Sequence, residues 1–446
     1  MAAQRGLRSV KQAGTNAVYT PNGVETPCEG RGHNPLFLPA TTLIRDVYRA
    51  LIHTGRSYAA FTEKDIAFLE HLRGVDEILD PMAGYGLLTQ YCADIGQRSY
   101  CVEFNLPQYF WQVLCHPAHA TGFIKCLRQL HAWQARWPKA TVRGIASDTW
   151  FPEESQRILL ELLDLSKASI DACFDPSKNQ AADPEELTIA LVLPFAGRFA
   201  CFVPGDISTH TKLGGMCVYY GWEDDFLAYL CALHHHLDRI APKAVSLNHT
   251  IVYGDVRTAV LPKGRFGGML TSPPYPNHRD FATMFRPERA FLDWLDEKHG
   301  IPPRQASDHI IGSNFVAGRP DRAVKTKAVK DFLDVVGNLK RAKQARYDDD
   351  KYYIPFFANY FADLEDAFAN ISTSLQRRFE GYLIVVNNTH RNILVPVSET
   401  SLEIWQTLGF DATIVESNES FHIGTKNPRA RGLRARHTRY AVKIWR

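Results

Sequence analysis

The chain has 446 residues, of which 45% are hydrophobic and 22% are charged, and this ordinary globular composition excludes a largely disordered protein. The formal net charge is only +3, from 51 basic and 48 acidic residues, so any binding of nucleic acid must come from local basic patches. The nine cysteines form no Cys-x-x-Cys pair, which argues against a disulfide framework and against a zinc ribbon.

The chain begins with a polar segment, residues 1–32, that we expect to be a flexible arm. This segment lacks the apolar core of a secretory signal, and no run in the chain approaches the roughly 18 uncharged apolar residues of a membrane span. We therefore expect a cytoplasmic protein that has no membrane partner. Helical patterns follow at residues 43–51 and 61–72, the second with Thr62 as its N-cap.

A strand, a glycine-containing turn and a helix follow one another within residues 75–95. The predicted strand ends in Asp80, the turn contains Gly84 and Gly86, and the helix is apolar. A second predicted strand ends in Glu103. This order predicts the opening of a doubly wound parallel sheet. Glycines after a strand let a ligand lie close to the backbone N–H groups at the start of the helix.

The turn does not match two common nucleotide-binding motifs. Thr89 occupies the third glycine position of the dinucleotide fingerprint, and no Gly-Lys-Ser/Thr sequence follows as it does in a P-loop. The remaining interpretation is a turn that holds a small ligand, with Glu103 placed to accept hydrogen bonds from both hydroxyls of a ribose. The alternative for Glu103 is an ordinary exposed acid at a strand end.

The next strand is delayed by a mostly helical segment, residues 111–247, which we interpret as an insertion. The strand pattern resumes at residues 250–255, and a later strand leads into the sequence Thr-Ser-Pro-Pro-Tyr at residues 271–275. Two consecutive prolines can neither continue a helix nor donate to a sheet. This loop is therefore predicted to be rigid and to hold Ser272 and Tyr275 in place.

The rest of the chain predicts a second, basic insertion and then the end of the sheet. The last predicted elements are a helix at 356–375, a strand at 382–386, a helix at 398–408 and strands at 411–416 and 439–445. The predicted division of the chain is an arm at 1–32, core at 33–110, insertion at 111–247, core with the proline loop at 248–280, insertion at 281–350 and core at 351–446. The histidine run at residues 234–236 lacks the spacing of metal ligands, so we predict no bound metal.

Three features together resemble a known family. The Asp-Pro-x-x-Gly-x-Gly turn at residues 80–86, the acid that ends the next strand and the Thr-Ser-Pro-Pro-Tyr loop resemble the S-adenosylmethionine-dependent amino-methyltransferases of DNA. The loop is typical of their cytosine-N4 branch, whereas adenine-N6 enzymes more often carry Asp-Pro-Pro-Tyr. The resemblance covers residues 37–110 and 245–446. It implies an α/β fold with a Rossmann-like class I methyltransferase sheet, a β-hairpin at its C-terminal end and two largely helical insertions.

The resemblance also implies roles for individual residues. Asp80, Gly84 and Gly86 are expected to hold the methionine part of S-adenosylmethionine. Glu103 is expected to bind the ribose, and Asp255 the adenine amino group. The full set of expected cofactor-binding residues is Pro39, Asp80, Pro81, Ala83, Gly84, Gly86, Glu103, Asp255 and Thr271. The expected methyl-transfer residues are Ser272, Pro273, Pro274 and Tyr275.

The residue types of this loop suit transfer to an exocyclic amine. The lone pair of the cytosine amine is delocalised into the ring, so the nitrogen is a poor nucleophile. Hydrogen bonds from its N–H groups to the Ser272 hydroxyl and the Pro273 carbonyl draw the nitrogen toward tetrahedral geometry and free the lone pair. Tyr275 is expected to stack on a base flipped out of the duplex. No covalent step is needed, so no cysteine nucleophile is required.

Double-stranded DNA is the partner that the resemblance implies. The basic residues expected to contact its phosphates are Arg319, Arg322, Lys325, Lys327 and Lys330. A solvated polar helix is the alternative for this stretch. The choice between residues 111–247 and 281–350 as the region that reads the DNA sequence stays open.

The sequence thus predicts a cytosine-N4 DNA methyltransferase in a restriction–modification or related defence setting. No segment resembles a nuclease site, so any restriction endonuclease is expected to be a separate chain. Three alternatives stay open: DNA adenine-N6 methylation, an RNA amino-methyltransferase, and a catalytically silent DNA-binding subunit. Ser272 in place of Asp disfavours adenine-N6 methylation. The lack of a recognisable RNA-binding module disfavours an RNA amino-methyltransferase, and the intact motif residues disfavour a silent subunit.

Overall fold

The computed structural model describes residues 63–174, 183–204, 211–241, 249–276, 285–300, 310–313, 319, 322–341, 351–390, 393–423 and 434–446. The predicted arm, the predicted helix at 43–51 and Pro39 lie outside the described residues. Within the described ranges, every helix is too short or too polar to reach across a membrane.

Helices and strands alternate along most of the described chain. The strands are β1 (Glu77–Asp80), β2 (Arg98–Glu103), β3 (Gly144–Ala146), β4 (Phe202–Pro204), β5 (Thr211–Leu213), β6 (Met216–Val218), β7 (Thr250–Tyr253), β8 (Phe266–Thr271), β9 (Leu375–Asn387), β10 (Thr389–His390), β11 (Ile393–Leu394), β12 (Asp411–Ile423) and β13 (Arg434–Trp445). The helices are α1 (Glu63–Ala67), α2 (Leu87–Asp94), α3 (Leu106–Leu114), α4 (Pro117–Ala132), α5 (Glu153–Cys173), α6 (Pro184–Ala196), α7 (Trp222–Ile240), α8 (Arg286–Lys298), α9 (Lys327–Arg341), α10 (Tyr353–Ser372) and α11 (Val397–Thr407).

Seven of the described strands form one mixed sheet, in the order β12-β13-β9-β8-β1-β2-β7. Five neighbouring strands run parallel to one another: β9, β8, β1, β2 and β7. Strand β13 runs antiparallel to both of its neighbours, β12 and β9. The prediction of an α/β fold with a mainly parallel sheet is therefore confirmed, and the strand order is compatible with a Rossmann-like fold. The order reverses at β1, because the chain continues to β2 on one side and later returns to β8 on the other.

Helices cover both faces of the sheet, because neighbouring residues of a strand point to opposite sides. In β1, Ile78 packs into one hydrophobic core and Leu79 into the other, and neither side chain is exposed. Helices α2 to α8 contribute to the core that contains Ile78, whereas α9, α10 and α11 contribute to the core that contains Leu79. Full burial of one such side chain stabilises the fold by about 1.5–3 kcal/mol. The end of β1 is thus held from both faces.

The first insertion lies within the connection from β2 to β7. These two strands pair in parallel, with Tyr100 opposite Thr250. Between them the described chain is mostly helical: α4 packs against α5 and α7, and α6 packs against α3 and α5. Two short ribbons, β3 with β6 and β4 with β5, accompany these helices. The described part of this insertion therefore lies on one face of the sheet.

The described helices of the second insertion lie on opposite faces of the sheet. Phe291 of α8 packs into the core that contains Ile78, together with the first insertion. Val329 of α9 packs into the other core, against α10. The basic stretch around α9 is thus separated from the first insertion by the sheet itself.

Two predicted boundaries are wrong for local reasons. Helix α10 ends at Ser372 and does not reach residue 375, because the hydroxyls of Thr373 and Ser374 donate hydrogen bonds back to carbonyls of the last turn. Strand β9 begins at Leu375, seven residues before the predicted strand at 382–386. Its first residues are the polar run Gln376-Arg377-Arg378, which hides the apolar alternation of a strand.

Candidate active site

The described residues of the predicted cofactor and methyl-transfer sites lie at the carboxyl ends of the parallel strands, around the reversal at β1. In doubly wound sheets, ligands bind at such a reversal. Asp80 ends β1 and Thr271 ends β8, and the Thr271 hydroxyl donates a hydrogen bond of 2.7 Å to Oδ1 of Asp80. This bond joins the glycine turn and the proline loop, which are far apart in the sequence.

Asp80 is a buried acid with unused hydrogen-bonding capacity. Its Oδ1 accepts the bond from Thr271 and a longer one of 3.4 Å from the Met82 amide. Its Oδ2 is also buried and accepts no hydrogen bond within the described part of the chain. Burial raises the pKa of Asp80 to about 7, although the two hydrogen bonds act in the opposite direction. A positively charged or donor-bearing ligand would satisfy this side chain.

The turn after β1 has a conformation that requires glycine. Gly84 and Gly86 have φ values of +56° and +68°, in the left-handed region that other residues rarely adopt. A Cβ at position 86 would lie 2.7 Å from Cγ of Gln112 in α3, so a side chain there would also collide. Gln112 in turn donates a hydrogen bond of 2.7 Å from Nε2 to the Gly84 carbonyl. Helix α3 therefore holds the turn from one side.

Glu103 holds the same turn from the end of β2. Its Oε2 accepts a hydrogen bond of 2.6 Å from the Gly84 amide, and its Oε1 accepts one of 2.6 Å from the Asn105 amide. Burial raises the pKa of Glu103 to about 8 and the negative charge of Asp80 adds to the rise, although these amide bonds lower it. Each carboxylate oxygen has a second lone pair, so both remain able to accept from a ligand.

The other implied turn residues are positioned by the backbone. The Ala83 amide donates a hydrogen bond of 3.1 Å to the Val102 carbonyl of β2, and Pro81 is buried beside it in the turn. These two residues shape the turn and offer no charged side chain. Pro39 lies outside the described residues, so its expected role stays a prediction.

Asp255, which follows β7, forms an ion pair with Arg257, a residue that the sequence did not predict to be part of the site. Nε of Arg257 lies 2.9 Å from Oδ1 and 3.0 Å from Oδ2 of Asp255, and the Arg257 amide donates to Oδ1 over 2.9 Å. The same guanidinium donates through Nη1 to Asp363 of α10 over 2.8 Å. Asp255 is thus at the expected edge of the sheet but already forms an ion pair.

The proline loop brings the Ser272 and Tyr275 side chains together. Ser272 Oγ donates a hydrogen bond of 2.9 Å to the Ile384 carbonyl of β9 and lies 2.8 Å from the Tyr275 hydroxyl. Because a carbonyl only accepts, the single Ser272 hydrogen is used there, and Tyr275 is the donor to Ser272. A lone pair of Ser272 remains as an acceptor.

The two proline carbonyls of the loop differ in their hydrogen bonds. The Pro274 carbonyl accepts a hydrogen bond of 2.9 Å from the buried Tyr360 hydroxyl. Pro273 is buried, and within the described ranges no hydrogen bond reaches its carbonyl oxygen. The backbone acceptor expected at Pro273 is therefore not used by another part of the described protein.

The basic residues expected to bind DNA fall into two groups. Arg319 and Arg322 form ion pairs with Asp363. Lys325 and Lys327 have 83% and 80% of their side-chain surface exposed, and Lys330 is also exposed. Lys325 lies 3.8 Å from Glu365, and Lys327 pairs with Asp331 one turn further along α9.

The start of α9 is held by an acid of α11. Oε2 of Glu403 accepts a hydrogen bond of 2.7 Å from the Lys327 amide, and Oε1 accepts one of 3.2 Å from the Ala328 amide. A carboxylate at this end satisfies free N–H groups and interacts favourably with the helix dipole. The exposed lysines therefore stand on a fixed helix start.

Some of the missed residues had a signal in the sequence. Asn105, Gln108 and Gln112 recur at helical spacing directly after Glu103 in an otherwise apolar helix, and all three are buried. Polar residues on the buried face of a helix are uncommon unless they are bonded. Arg257 had no comparable signal, because its second partner Asp363 comes from a distant helix.

Comparison with models of known protein families found no match, and a search of curated proteins found none either. The described residues contain no group of three or more His, Cys, Asp or Glu side chains arranged to hold a metal ion. What the site does must therefore be inferred from its own geometry: two buried acids, a glycine turn and a hydroxyl-bearing proline loop at one reversal of the sheet.

Proposed function

We propose that the protein is an S-adenosylmethionine-dependent DNA methyltransferase that acts on the exocyclic N4 of cytosine. The observation that carries this proposal is the hydrogen bond of 2.7 Å between Thr271 and Asp80, residues that are 191 positions apart. It joins the two motifs on which the resemblance to the amino-methyltransferases rests. A cofactor turn and a transfer loop must adjoin if a methyl group is to pass from one ligand to the other.

The residues of the turn fit the charge of the cofactor. S-adenosylmethionine carries a sulfonium and an ammonium group, and when bound it supplies an electrophilic methyl group. The buried carboxyl groups of Asp80 and Glu103 favour a cation beside them, and the unused Oδ2 of Asp80 is an acceptor for an ammonium group. The remaining lone pairs of Glu103 suit two ribose hydroxyls. Gly84 and Gly86 allow the left-handed backbone of the turn on which this arrangement depends.

The sheet supports the same family. Its order has the parallel strands and the antiparallel C-terminal hairpin that the resemblance implies for a class I methyltransferase sheet. A fold alone does not define an activity. The proposal therefore depends on the residues at the carboxyl edge.

The loop residues act on the target amine. Ser272 and the Pro273 carbonyl accept hydrogen bonds from the two N–H groups, which draws the lone pair out of the ring system. Tyr275 donates to Ser272 and so orients the lone pair that faces the amine, while its ring supports the flipped base. Thr271 keeps the loop against Asp80 and thus sets the distance between base and methyl donor.

The substrate in this proposal is double-stranded DNA in the cytoplasm. The first DNA contacts are assigned to the exposed lysines Lys325, Lys327 and Lys330, which lie at the start of α9. Any restriction endonuclease of the same system is a separate chain.

The test is the modification of genomic DNA in cells that express the chain. Single-molecule sequencing distinguishes N4-methylcytosine from N6-methyladenine, and we expect one short motif that bears N4-methylcytosine. Ser272→Ala is the matched variant, expected to leave the DNA unmodified while it still binds the cofactor. N6-methyladenine in the motif would contradict the choice of base. Unmodified DNA, with a folded protein that binds the cofactor, would favour an RNA substrate or a silent subunit.

A further inference from the structure

One buried carboxylate of α10 accepts hydrogen bonds from three guanidinium groups. Asp363 of α10 has no exposed surface. Its Oδ1 lies 2.8 Å from Nη1 of Arg257 and 2.7 Å from Nη1 of Arg322, and its Oδ2 lies 2.8 Å from Nη2 of Arg319. A buried charge needs partners of opposite sign, so this carboxylate must keep at least one of these cations.

Arg257 divides its donors between two acids. Its Nε contacts both carboxylate oxygens of Asp255, and its Nη1 contacts Asp363. Asp255 is the residue to which the resemblance gives the adenine amino group. The position of Arg257 therefore determines whether the carboxylate oxygens of Asp255 can accept a hydrogen bond from a ligand.

Arg319 and Arg322 connect the same carboxylate to the basic segment. Their side chains are 14% and 27% exposed, far less than the 83% of Lys325. Arg322 also donates to Asp366, one turn further along α10. The two arginines thus hold the segment against α10, and they are the cations nearest to Asp363 that an arriving phosphate could attract.

We propose that Asp363 is a positioning residue that couples DNA binding to cofactor binding, an inference that rests on the proposed function. When phosphates attract Arg319 and Arg322, Asp363 keeps Arg257 as its cation. Arg257 then moves toward Asp363 and leaves Asp255 able to accept from the adenine amino group. Because coupling between two sites is reciprocal, DNA tightens cofactor binding by the factor by which the cofactor tightens DNA binding.

The test measures the dissociation constant of S-adenosylmethionine by calorimetry, without DNA and with saturating double-stranded DNA of mixed sequence. In the wild-type protein we expect DNA to tighten cofactor binding about fivefold or more. Asp363→Asn should reduce this ratio to about one, with affinity fixed at the weaker, DNA-free value, because Arg257 then loses the Asp363 carboxylate and stays with Asp255. The control is Asp366→Asn, on the same helix and paired with Arg322 but, among the described residues, not with Arg257, which should keep the wild-type ratio.

A second variant separates coupling from loss of structure. Arg319→Gln together with Arg322→Gln leaves Arg257 as the cation of Asp363, so cofactor affinity without DNA should rise to the value that the wild-type protein shows with DNA. A purely structural role would weaken binding in both variants, and that result would overturn the inference. So would a wild-type ratio retained in Asp363→Asn, or a wild-type protein that binds both ligands without coupling. A wild-type protein that binds neither ligand would contradict the proposed function itself and this inference with it.

Discussion

The carboxyl groups of Asp80 and Glu103 reduce the stability of the folded protein when they ionise, because burial raises their pKa values to about 7 and about 8. An acid whose pKa is higher in the folded than in the unfolded chain binds more protons when folded. For Asp80 the free energy of unfolding therefore falls as the pH rises from about 4 to about 7. Buried acids that destabilise the fold when they ionise are typical of sites that bind a ligand.

Asp80→Asn tests this balance. The variant should exceed the wild-type protein in free energy of unfolding by more at pH 7.5 than at pH 4.5. The gain between the two pH values is up to about 4 kcal/mol for a pKa shift of about three units. The measurement is urea unfolding of the variant and the wild-type protein at both pH values. Asp76→Asn removes an exposed acid directly before β1. Its difference from the wild-type protein in free energy of unfolding should be the same at both pH values. Equal pH dependence in both variants would contradict the effect of burial.

Tyr275→Phe tests the hydroxyl pair of the proline loop. The variant keeps the ring but loses the hydrogen bond to Ser272, so kcat should fall about 3- to 10-fold, the effect of one hydrogen bond. The dissociation constant of S-adenosylmethionine should not change. Tyr275→Ala also removes the ring and should lose considerably more activity. If both variants lose cofactor affinity as strongly as activity, the assigned role of Tyr275 is wrong.

The sequence predicted the site residues at the strand ends. It did not predict the residues that form hydrogen bonds to them. Asp80, Glu103 and Ser272 stand out because each adjoins a strand pattern and a turn. Gln112 is 28 positions from Gly84, and Asp363 is 106 positions from Arg257. Such contacts depend on how helices pack against the sheet, and no local period encodes that packing.

At the scale of elements, α9 combines a fixed start with exposed charge. Glu403 binds the first amides of the helix, and the side chains of Val329, Phe332 and Val336 are buried against α10. Lys325, two residues before the helix, and Lys330 in its first turn remain exposed. Exposed cations that are not used in strong ion pairs are suited to bind a row of phosphates.

Replacing Lys325, Lys327 and Lys330 by Gln should therefore change the salt dependence of DNA binding. We expect the slope of log K against log salt to decrease by about 0.9 for each phosphate that the variant no longer binds. Binding measured at several salt concentrations gives this slope. Lys298→Gln is the control, because this exposed lysine ends α8 on the other face of the sheet. An unchanged slope in the triple variant would place the phosphate-binding residues elsewhere.

The elements themselves were predicted better than their ends. The strand β1, the turn and α2 were predicted because an apolar strand, two glycines and an apolar helix follow without interruption. The mostly polar residues at 417–420 and 434–438 hid the continuation of β12 and β13, which pair with each other as far as Ile423 and Arg434, whereas β13 pairs with β9 only from Thr438 onward. Residues 417–420 are all polar, so the sequence shows no apolar period of two there.

At the scale of the whole molecule, three buried histidines join the two ends of the first insertion. His116 and His119 lie at the start of α4, and Nε2 of His116 is 3.3 Å from the carbonyl of His249, just before β7. Burial lowers the pKa of all three, to about 3 for His116 and about 4 for His249. Their folded forms therefore stay neutral where the unfolded chain takes up protons.

Acid should consequently loosen the attachment of the insertion. At these three histidines the unfolded chain binds more protons than the folded one between about pH 6.5 and pH 4, so their contribution to the free energy of unfolding falls as the pH falls, by up to about 1.4 kcal/mol per pH unit for each histidine. This dependence is opposite in sign to that of Asp80 and Glu103. His249→Gln should remove one such contribution from the pH dependence of urea unfolding. His235→Gln, an exposed position on α7, should leave it unchanged. A wild-type pH dependence in His249→Gln would exclude this histidine as an acid-sensitive group.

The place of the first insertion in the chain also bears on how the protein is made. Strand β1 lies in the middle of the sheet, but its partner β8 is synthesised long after it: Asp80 and Thr271 are 191 residues apart. At about 5–20 residues per second, one edge of β1 stays unpaired on the ribosome for roughly 10 to 40 seconds. An unpaired edge readily binds strands of other chains. The helices of the insertion emerge during that interval, and by packing on α2 and α3 early they cover the apolar face around Ile78 while the sheet is still unfinished.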